Sequence, residues 1–136
     1  MAFVVDASVA LAWCFEDEAT SYAESVLDRL QQTEAVVPAI WPLEVANVLL
    51  MAERRQRLTE AQTARMIQLL RGLPITIDAE GLAQAWGPML SLGREYGLSA
   101  YDSSYLEHAM RQGISLATQD AALREAAPRA GVPLVE

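Results

Sequence analysis

The sequence predicts an α/β fold: a single compact domain over residues 1–136, with a central, mostly parallel five-stranded sheet and helices on both faces. Three observations predict it. The length of 136 residues fits one domain. The composition, with 52% hydrophobic and 21% charged residues, is that of a globular chain with one core. Short β-branched runs alternate with longer segments of helical periodicity, which is typical of a parallel sheet with crossover helices.

Five short apolar runs are predicted as strands. The first, Ala-Phe-Val-Val, is closed by Asp6 and is typical of a buried strand. The second ends before Pro38, which favours a strand boundary there. The five runs cover residues 2–5, 35–37, 74–77, 114–117 and 132–135.

Helical periodicity fills the segments between these runs. The clearest helix has one apolar stripe, formed by Trp41, Val45, Val48 and Ala52. The next begins at Thr59 with Gln62 three residues later, which is the pattern of a capping box. The predicted helices cover residues 8–13, 16–32, 40–55, 59–72, 78–93 with an interruption near 87–88, 102–111 and 120–127.

The charged and sulfur-containing residues exclude several classes of site. The chain has ten basic and 18 acidic residues, a net charge of −8, one Cys, one His and no Lys. This composition excludes an internal disulfide, a Cys-cluster zinc site and a phosphate-binding loop with its Lys. No apolar run approaches a membrane span, and the first residues lack a basic signal region, so we expect a cytoplasmic protein without a membrane partner. The negative charge opposes unspecific nucleic-acid binding but is compatible with a nuclease whose carboxylates hold a cation.

Four acidic residues stand at the edges of apolar patterns. Asp6 directly follows the first predicted strand and Asp120 lies just after the fourth, where parallel sheets form their sites. Glu44 lies beside the apolar stripe of its helix, and Asp102 begins another helix. Each also has a structural interpretation: helix caps for Asp6 and Asp120, a first-turn residue for Asp102, and a flank residue for Glu44.

Together these carboxylates favour a cation. Two of them about 5 Å apart repel by roughly 3 kcal/mol at an effective dielectric constant of ~20. With no Lys to neutralise them, a cluster of four would protonate in part or bind a metal ion. Carboxylate oxygens suit Mg²⁺ or Mn²⁺, and such ions activate water for attack on a phosphodiester.

The segments around these four acids resemble the motifs of a known family. They read MAFVVDAS around Asp6, LEVAN around Glu44, LSAYDS around Asp102 and LATQDAAL around Asp120. In order and separation they are similar to the PIN domain, and in particular to the VapC-type ribonuclease toxins of prokaryotic toxin–antitoxin pairs. The resemblance covers essentially the whole chain.

The resemblance implies a PIN-like fold and an Mg²⁺- or Mn²⁺-dependent endoribonuclease that cleaves RNA, is inhibited by a cognate antitoxin and forms a homodimer. It implies that Asp6, Glu44, Asp102 and Asp120 are the catalytic and metal-binding acids. Ser8 and Thr118 would orient the first and last Asp, and Asn47 takes the place of the family's amide. Some relatives carry one more acid after the last motif, whereas here Ala121, Ala122 and Leu123 follow.

Two other functions stay open at this point. An Asp-based phosphotransfer protein also places Asp after its first strand, but it would need a Lys near the site. A PIN fold kept as a binding module without activity is the other alternative.

The remaining candidate residues have competing interpretations. Arg54, Arg55 and Arg57 either complement a helix end or steer an RNA backbone to the acids. His108 is predicted to be a surface or partly packed helix residue. The three tryptophans, Trp13, Trp41 and Trp86, are predicted to be core anchors rather than base-stacking platforms.

Overall fold

Four parallel strands form the centre of the computed structural model, which describes residues 1–136. They are β1 (Phe3–Val5), β2 (Ala35–Pro38), β3 (Ile75–Asp78) and β4 (Ser115–Ala117), and their order across the sheet is β3-β2-β1-β4. All neighbouring pairs are parallel, with Phe3 opposite both Ala35 and Ser115. The α/β fold with a parallel sheet is therefore confirmed.

The predicted fifth strand is wrong in its extent. Residues 132–135 make one parallel bridge, between Leu116 and Leu134, and no regular strand. Two backbone hydrogen bonds hold it, from Leu116 N to the Pro133 carbonyl and from Val135 N to the Leu116 carbonyl, each 2.9 Å long. Pro133 has no N–H to extend the ladder, so the pairing stops after one bridge.

Seven α-helices surround the sheet: α1 (Ala7–Cys14), α2 (Ser21–Arg29), α3 (Ile40–Arg54), α4 (Glu60–Arg71), α5 (Pro88–Tyr96), α6 (Ala100–Gln112) and α7 (Ala121–Arg129). The capping box of Thr59 and Gln62 at the start of α4 is confirmed. The end of α6 at Gly113 is confirmed too, and the left-handed φ of 66° at that residue explains the choice of glycine. None of these helices is both long and apolar enough to cross a membrane.

Two predicted helices are divided in the structure. The segment 16–32 contains a 3-10 turn (Glu16–Glu18) and then α2, which starts afresh because the Thr20 hydroxyl accepts the Ala23 N–H at 3.0 Å. The segment 78–93 contains a turn in which Asp78, the last residue of β3, accepts the Glu80 N–H. A 3-10 turn follows, and α5 begins only at Pro88, whose fixed φ suits the first turn of a helix.

The core lies between the sheet and the helices, and three predicted packing positions are wrong. The buried stripe of α3 contains Leu49 instead of Val48, which is 37% exposed. His108 is 2% exposed, because it lies on the face of α6 that meets Asp78. Trp86 is 93% exposed, in the turn before α5, whereas Trp41 is buried as predicted.

Candidate functional site

Asp6 and Asp120 lie side by side at the carboxyl edge of the sheet. Their strands β1 and β4 are adjacent and parallel, so the residues that follow them emerge together. Asp6 caps α1, its Oδ1 accepting the Val9 N–H at 3.2 Å, and Asp120 caps α7, its Oδ2 accepting the Leu123 N–H at 3.0 Å. The capping interpretation therefore holds for both, and both also occupy the edge where a site is expected.

Two hydroxyl groups fix the Asp6 carboxylate, which is 3% exposed. The Ser8 hydroxyl donates to Oδ1 at 2.6 Å, and the Thr118 hydroxyl donates to Oδ2. The same hydroxyls also accept backbone N–H groups, Ser8 from Gln119 and Thr118 from Asp120, each at 3.0 Å. These bonds join the turns after β1 and β4 and give Asp6 a single orientation.

Glu44 and Asp102 come to the same region from two helices. Glu44, in the second turn of α3, is half-buried, and its Oε1 accepts the hydroxyl of Tyr105 at 2.5 Å. Asp102 lies in the first turn of α6, but the cap of that helix is Ser99, whose hydroxyl accepts the Asp102 N–H at 3.0 Å. The Asp102 side chain makes no hydrogen bond, so both of its oxygens are free for a ligand.

The pKa values of Asp6 and Asp102 are raised, and neighbouring carboxylates contribute to both shifts. Burial raises the pKa of Asp6 to about 6, against the hydrogen bonds from Ser8, Thr118 and Val9, and the charge of Asp120 adds to the rise. Burial also raises the pKa of Asp102, and the charges of Asp120 and Glu44 raise it further. No arginine forms a salt bridge with any of the four. The site is thus a patch of carboxylates without a salt-bridge partner, and the nearby Arg124 donates to the Thr118 carbonyl instead.

The donor chemistry of this patch fits a hard cation. All its donors are carboxylate oxygens, which Mg²⁺ and Mn²⁺ prefer to the softer nitrogen and sulfur ligands of zinc sites. The side chains do not form a coordination sphere as they stand, because no group of three or more His, Cys, Asp or Glu is arranged to hold a metal ion. Binding would therefore require side-chain movements, and the Asp102 carboxylate is held by no hydrogen bond that opposes them.

The remaining predicted site residues lie along α3 and just beyond its end. Asn47 is exposed one turn beyond Glu44 and makes no hydrogen bond. Arg54 and Arg55 are exposed at the end of α3, where ten residues of helix put Arg54 about 15 Å from Glu44. Arg57 is engaged elsewhere: it forms an ion pair with Asp17 at 3.2 Å and stacks on the ring of Phe15 at 5.1 Å.

Sequence reasoning missed Tyr105, which the structure places against Glu44. The available signal was its position three residues after Asp102, because residues three apart share one helix face. It also missed an ionic cluster in which Arg111 joins Glu107 at 2.7 Å and Asp78 at 2.5 Å. The spacing of Glu107 and Arg111, four residues apart, was the signal for that pair.

Comparison with known proteins agrees with this geometry. The chain is similar to the protein named Ribonuclease VapC3 from Pyrobaculum aerophilum, with 29% identity over 133 residues that cover 98% of this chain and 100% of the relative. Among solved structures it is similar to PAE2754 from Pyrobaculum aerophilum, with a TM-score of 0.66, 24% identity and coverage of 93% of this chain and 87% of that one.

Two further structures share the fold. One is FitAcB from Neisseria gonorrhoeae, with a TM-score of 0.66, 19% identity and coverage of 100% of this chain and 97% of that one. The other is a toxin-antitoxin complex from Klebsiella pneumoniae, with a TM-score of 0.59, 18% identity and coverage of 87% and 86%. The family model of the PIN domain matches residues 3–128, nearly the whole chain. The protein is therefore a member of the PIN domain family.

Proposed function

We propose that this protein is a metal-dependent endoribonuclease that acts as the toxin of a toxin–antitoxin pair. The observation that carries the proposal is the set of four carboxylates at one edge of the sheet, without an arginine partner. The similarity over nearly the full length to a protein named Ribonuclease VapC3 supports RNA as the substrate. The likeness to the toxin-antitoxin complex from Klebsiella pneumoniae supports an antitoxin as partner.

In this proposal Asp6, Glu44, Asp102 and Asp120 hold a divalent cation, Mg²⁺ or Mn²⁺. The cation would supply activation of water and stabilisation of the charge that develops on the phosphate. Asp6 contributes a carboxylate of fixed orientation, because Ser8 and Thr118 hold both of its oxygens. Asp102 contributes the most adjustable one, since its side chain is held by no hydrogen bond.

The protein also needs to bring a polyanion to an acidic edge. We propose that Arg54 and Arg55, at the far end of α3 from Glu44, bind RNA phosphates. Asn47, which is also exposed, lies on α3 between Glu44 and these arginines. Leu43 and Tyr101, the sequence neighbours of Glu44 and Asp102, are exposed apolar side chains. The partners in this proposal are an antitoxin and a second copy of the chain in a homodimer.

Expression in bacteria tests this proposal. We expect production of the wild-type protein without an antitoxin to arrest growth, and Asp6→Asn to abolish the arrest. Asn keeps the capping hydrogen bond of the side chain, so the variant should fold while losing a charge of the site. Growth curves and circular dichroism measure the two properties, and Glu125→Gln, at an exposed acid on α7, is the matched control that should stay toxic. Undiminished arrest by folded Asp6→Asn would contradict the proposed chemistry.

The arginines of α3 give a second expected result. In the Asp6→Asn background, Arg54→Ala with Arg55→Ala should weaken RNA binding and make its logarithmic dependence on salt shallower, by roughly 0.7 for each phosphate that is no longer bound. Arg57→Ala should change the slope least, because Arg57 already pairs with Asp17 and stacks on Phe15. Fluorescence anisotropy of labelled RNA at several salt concentrations measures both. If the double substitution leaves the salt dependence of RNA binding unchanged, these arginines have only a structural role at the helix end.

A further inference from the structure

A tyrosine from a different helix holds Glu44 in place. The Tyr105 hydroxyl donates to Glu44 Oε1 at 2.5 Å and thereby links α6 to α3. Tyr105 is 1% exposed, so its ring is fixed by the packing around it. The bond is the one hydrogen bond that the Glu44 carboxylate makes, and it joins residues 61 positions apart.

This arrangement repeats what is seen at two other acids of the site. Asp6 is held by the hydroxyls of Ser8 and Thr118, and Asp120 by the backbone N–H of Leu123. Every one of these donors is neutral. A neutral donor fixes the direction of a carboxylate and leaves its charge available to a cation, whereas a lysine or arginine in the same place would neutralise it.

The surroundings of Tyr105 keep its hydroxyl a donor. The hydroxyl faces Oε1 of Glu44, and because a carboxylate oxygen accepts, the hydroxyl is the donor of this bond. Asp102 lies one turn earlier on the same helix, so α6 brings one carboxylate to the site and steadies a second.

We propose that Tyr105 is a positioning residue of the acid cluster, whose hydroxyl orients the Glu44 carboxylate toward Asp6 and Asp102 for cation binding. This inference rests on the proposed metal-dependent function. Without the hydroxyl, Glu44 has no partner and its flexible side chain can leave the site. Loss of a hydrogen bond that supports a metal ligand typically weakens metal binding 10–100-fold.

Binding of Mn²⁺ tests the inference without relying on activity. The Kd for Mn²⁺ is measured by electron paramagnetic resonance of the free ion for four proteins: wild type, Tyr105→Phe, Glu44→Gln and the double variant. We expect Tyr105→Phe to bind Mn²⁺ about 10-fold more weakly than wild type. In the Glu44→Gln background the same substitution should cause no further loss, since it acts through Glu44. Tyr96→Phe is the matched control, because its ring lies under Arg129, away from the acids.

The outcomes separate the two proposals. A wild type that binds no Mn²⁺ overturns both the proposed function and this inference. A wild type that binds Mn²⁺ while Tyr105→Phe binds it equally well overturns the inference alone. The inference is also overturned if Tyr105→Phe weakens Mn²⁺ binding equally in the wild-type and Glu44→Gln backgrounds. Tyr105 would then affect Mn²⁺ binding without acting through Glu44.

A second measurement leaves Tyr105 intact, in case its substitution disturbs folding. Tyrosine labelled with ¹³C at Cζ reports the hydrogen bond of each phenol by nuclear magnetic resonance. Adding Mg²⁺ should shift the Tyr105 resonance, because the cation draws charge from the Glu44 carboxylate, and should leave that of Tyr96 in place. Glu44→Gln should abolish the shift. If saturating Mg²⁺ leaves the chemical shift of Tyr105 in the wild type unchanged, the inference is overturned.

Discussion

Asp102→Asn is expected to reduce RNA cleavage at least about 100-fold, since the proposed function makes Asp102 a metal ligand, while leaving the metal-free protein no less stable. Burial and the charges of Asp120 and Glu44 raise the pKa of Asp102, which means that its ionised form is disfavoured in the folded state. At neutral pH the substitution removes that cost and keeps the shape of the side chain. The variant should therefore melt at the same temperature as wild type in EDTA, or higher.

The response of the melting temperature to Mg²⁺ completes this prediction. Binding to the native state alone stabilises the wild type by about 1.4 kcal/mol at ten times the Kd. For a domain of this size that is a rise of roughly 3–6 °C. The rise should shrink or vanish in Asp102→Asn, and remain in Asp28→Asn, which alters an exposed acid on α2. A variant that melts lower in EDTA and keeps the full rise with Mg²⁺ would assign Asp102 a structural role.

Arg111→Ala is expected to lower the free energy of unfolding more than any other substitution proposed above. The Arg111 guanidinium joins Glu107, whose side chain is 5% exposed, and Asp78, whose side chain is 15% exposed. Removing one partner of a buried ion pair costs about 3–5 kcal/mol because a buried charge is left alone. Arg111 itself is 28% exposed, so water can replace part of the interaction. We therefore expect the free energy of unfolding to fall by about 2–3 kcal/mol.

Urea denaturation measures this loss, and the chain contains a natural control. Arg129 and Glu125 have the same spacing of four residues, but they are 4.0 Å apart with side chains 61% and 77% exposed. Surface pairs contribute about 0–1 kcal/mol, so Arg129→Ala should have a small effect, even though Arg129 also stacks on Tyr96. Equal losses in the two variants would show that the Arg111 cluster contributes no more than a surface ion pair.

The strands and the main helices could be predicted from the sequence because their signals are local. A β-branched run closed by Asp6 and a capping box at Thr59 depend on neighbouring residues only, and both predicted elements are present. The errors arise where a single residue interrupts an otherwise regular pattern. The helix 16–32 is broken by the Thr20 cap, and the pairing of residues 132–135 is limited by Pro133.

Side-chain environments were harder to predict than secondary structure. His108 is buried because α6 packs that face against the end of β3, whereas Trp86 is exposed in the turn before α5. Four candidate acids could be proposed from their positions beside strands and helix starts. The bond between Tyr105 and Glu44 could not, because it joins two helices that no local pattern relates.

Cleavage of RNA by the purified protein in defined metal tests the central claim most directly. The protein is stripped with EDTA, and a labelled single-stranded RNA is incubated with it alone and with added Mg²⁺, Mn²⁺ or Zn²⁺. We expect no cleavage in EDTA and recovery with Mg²⁺ or Mn²⁺, because hard cations suit an all-carboxylate site. DNA of the same sequence should be cleaved little. Cleavage that persists undiminished in EDTA, or that only Zn²⁺ restores, would contradict the account.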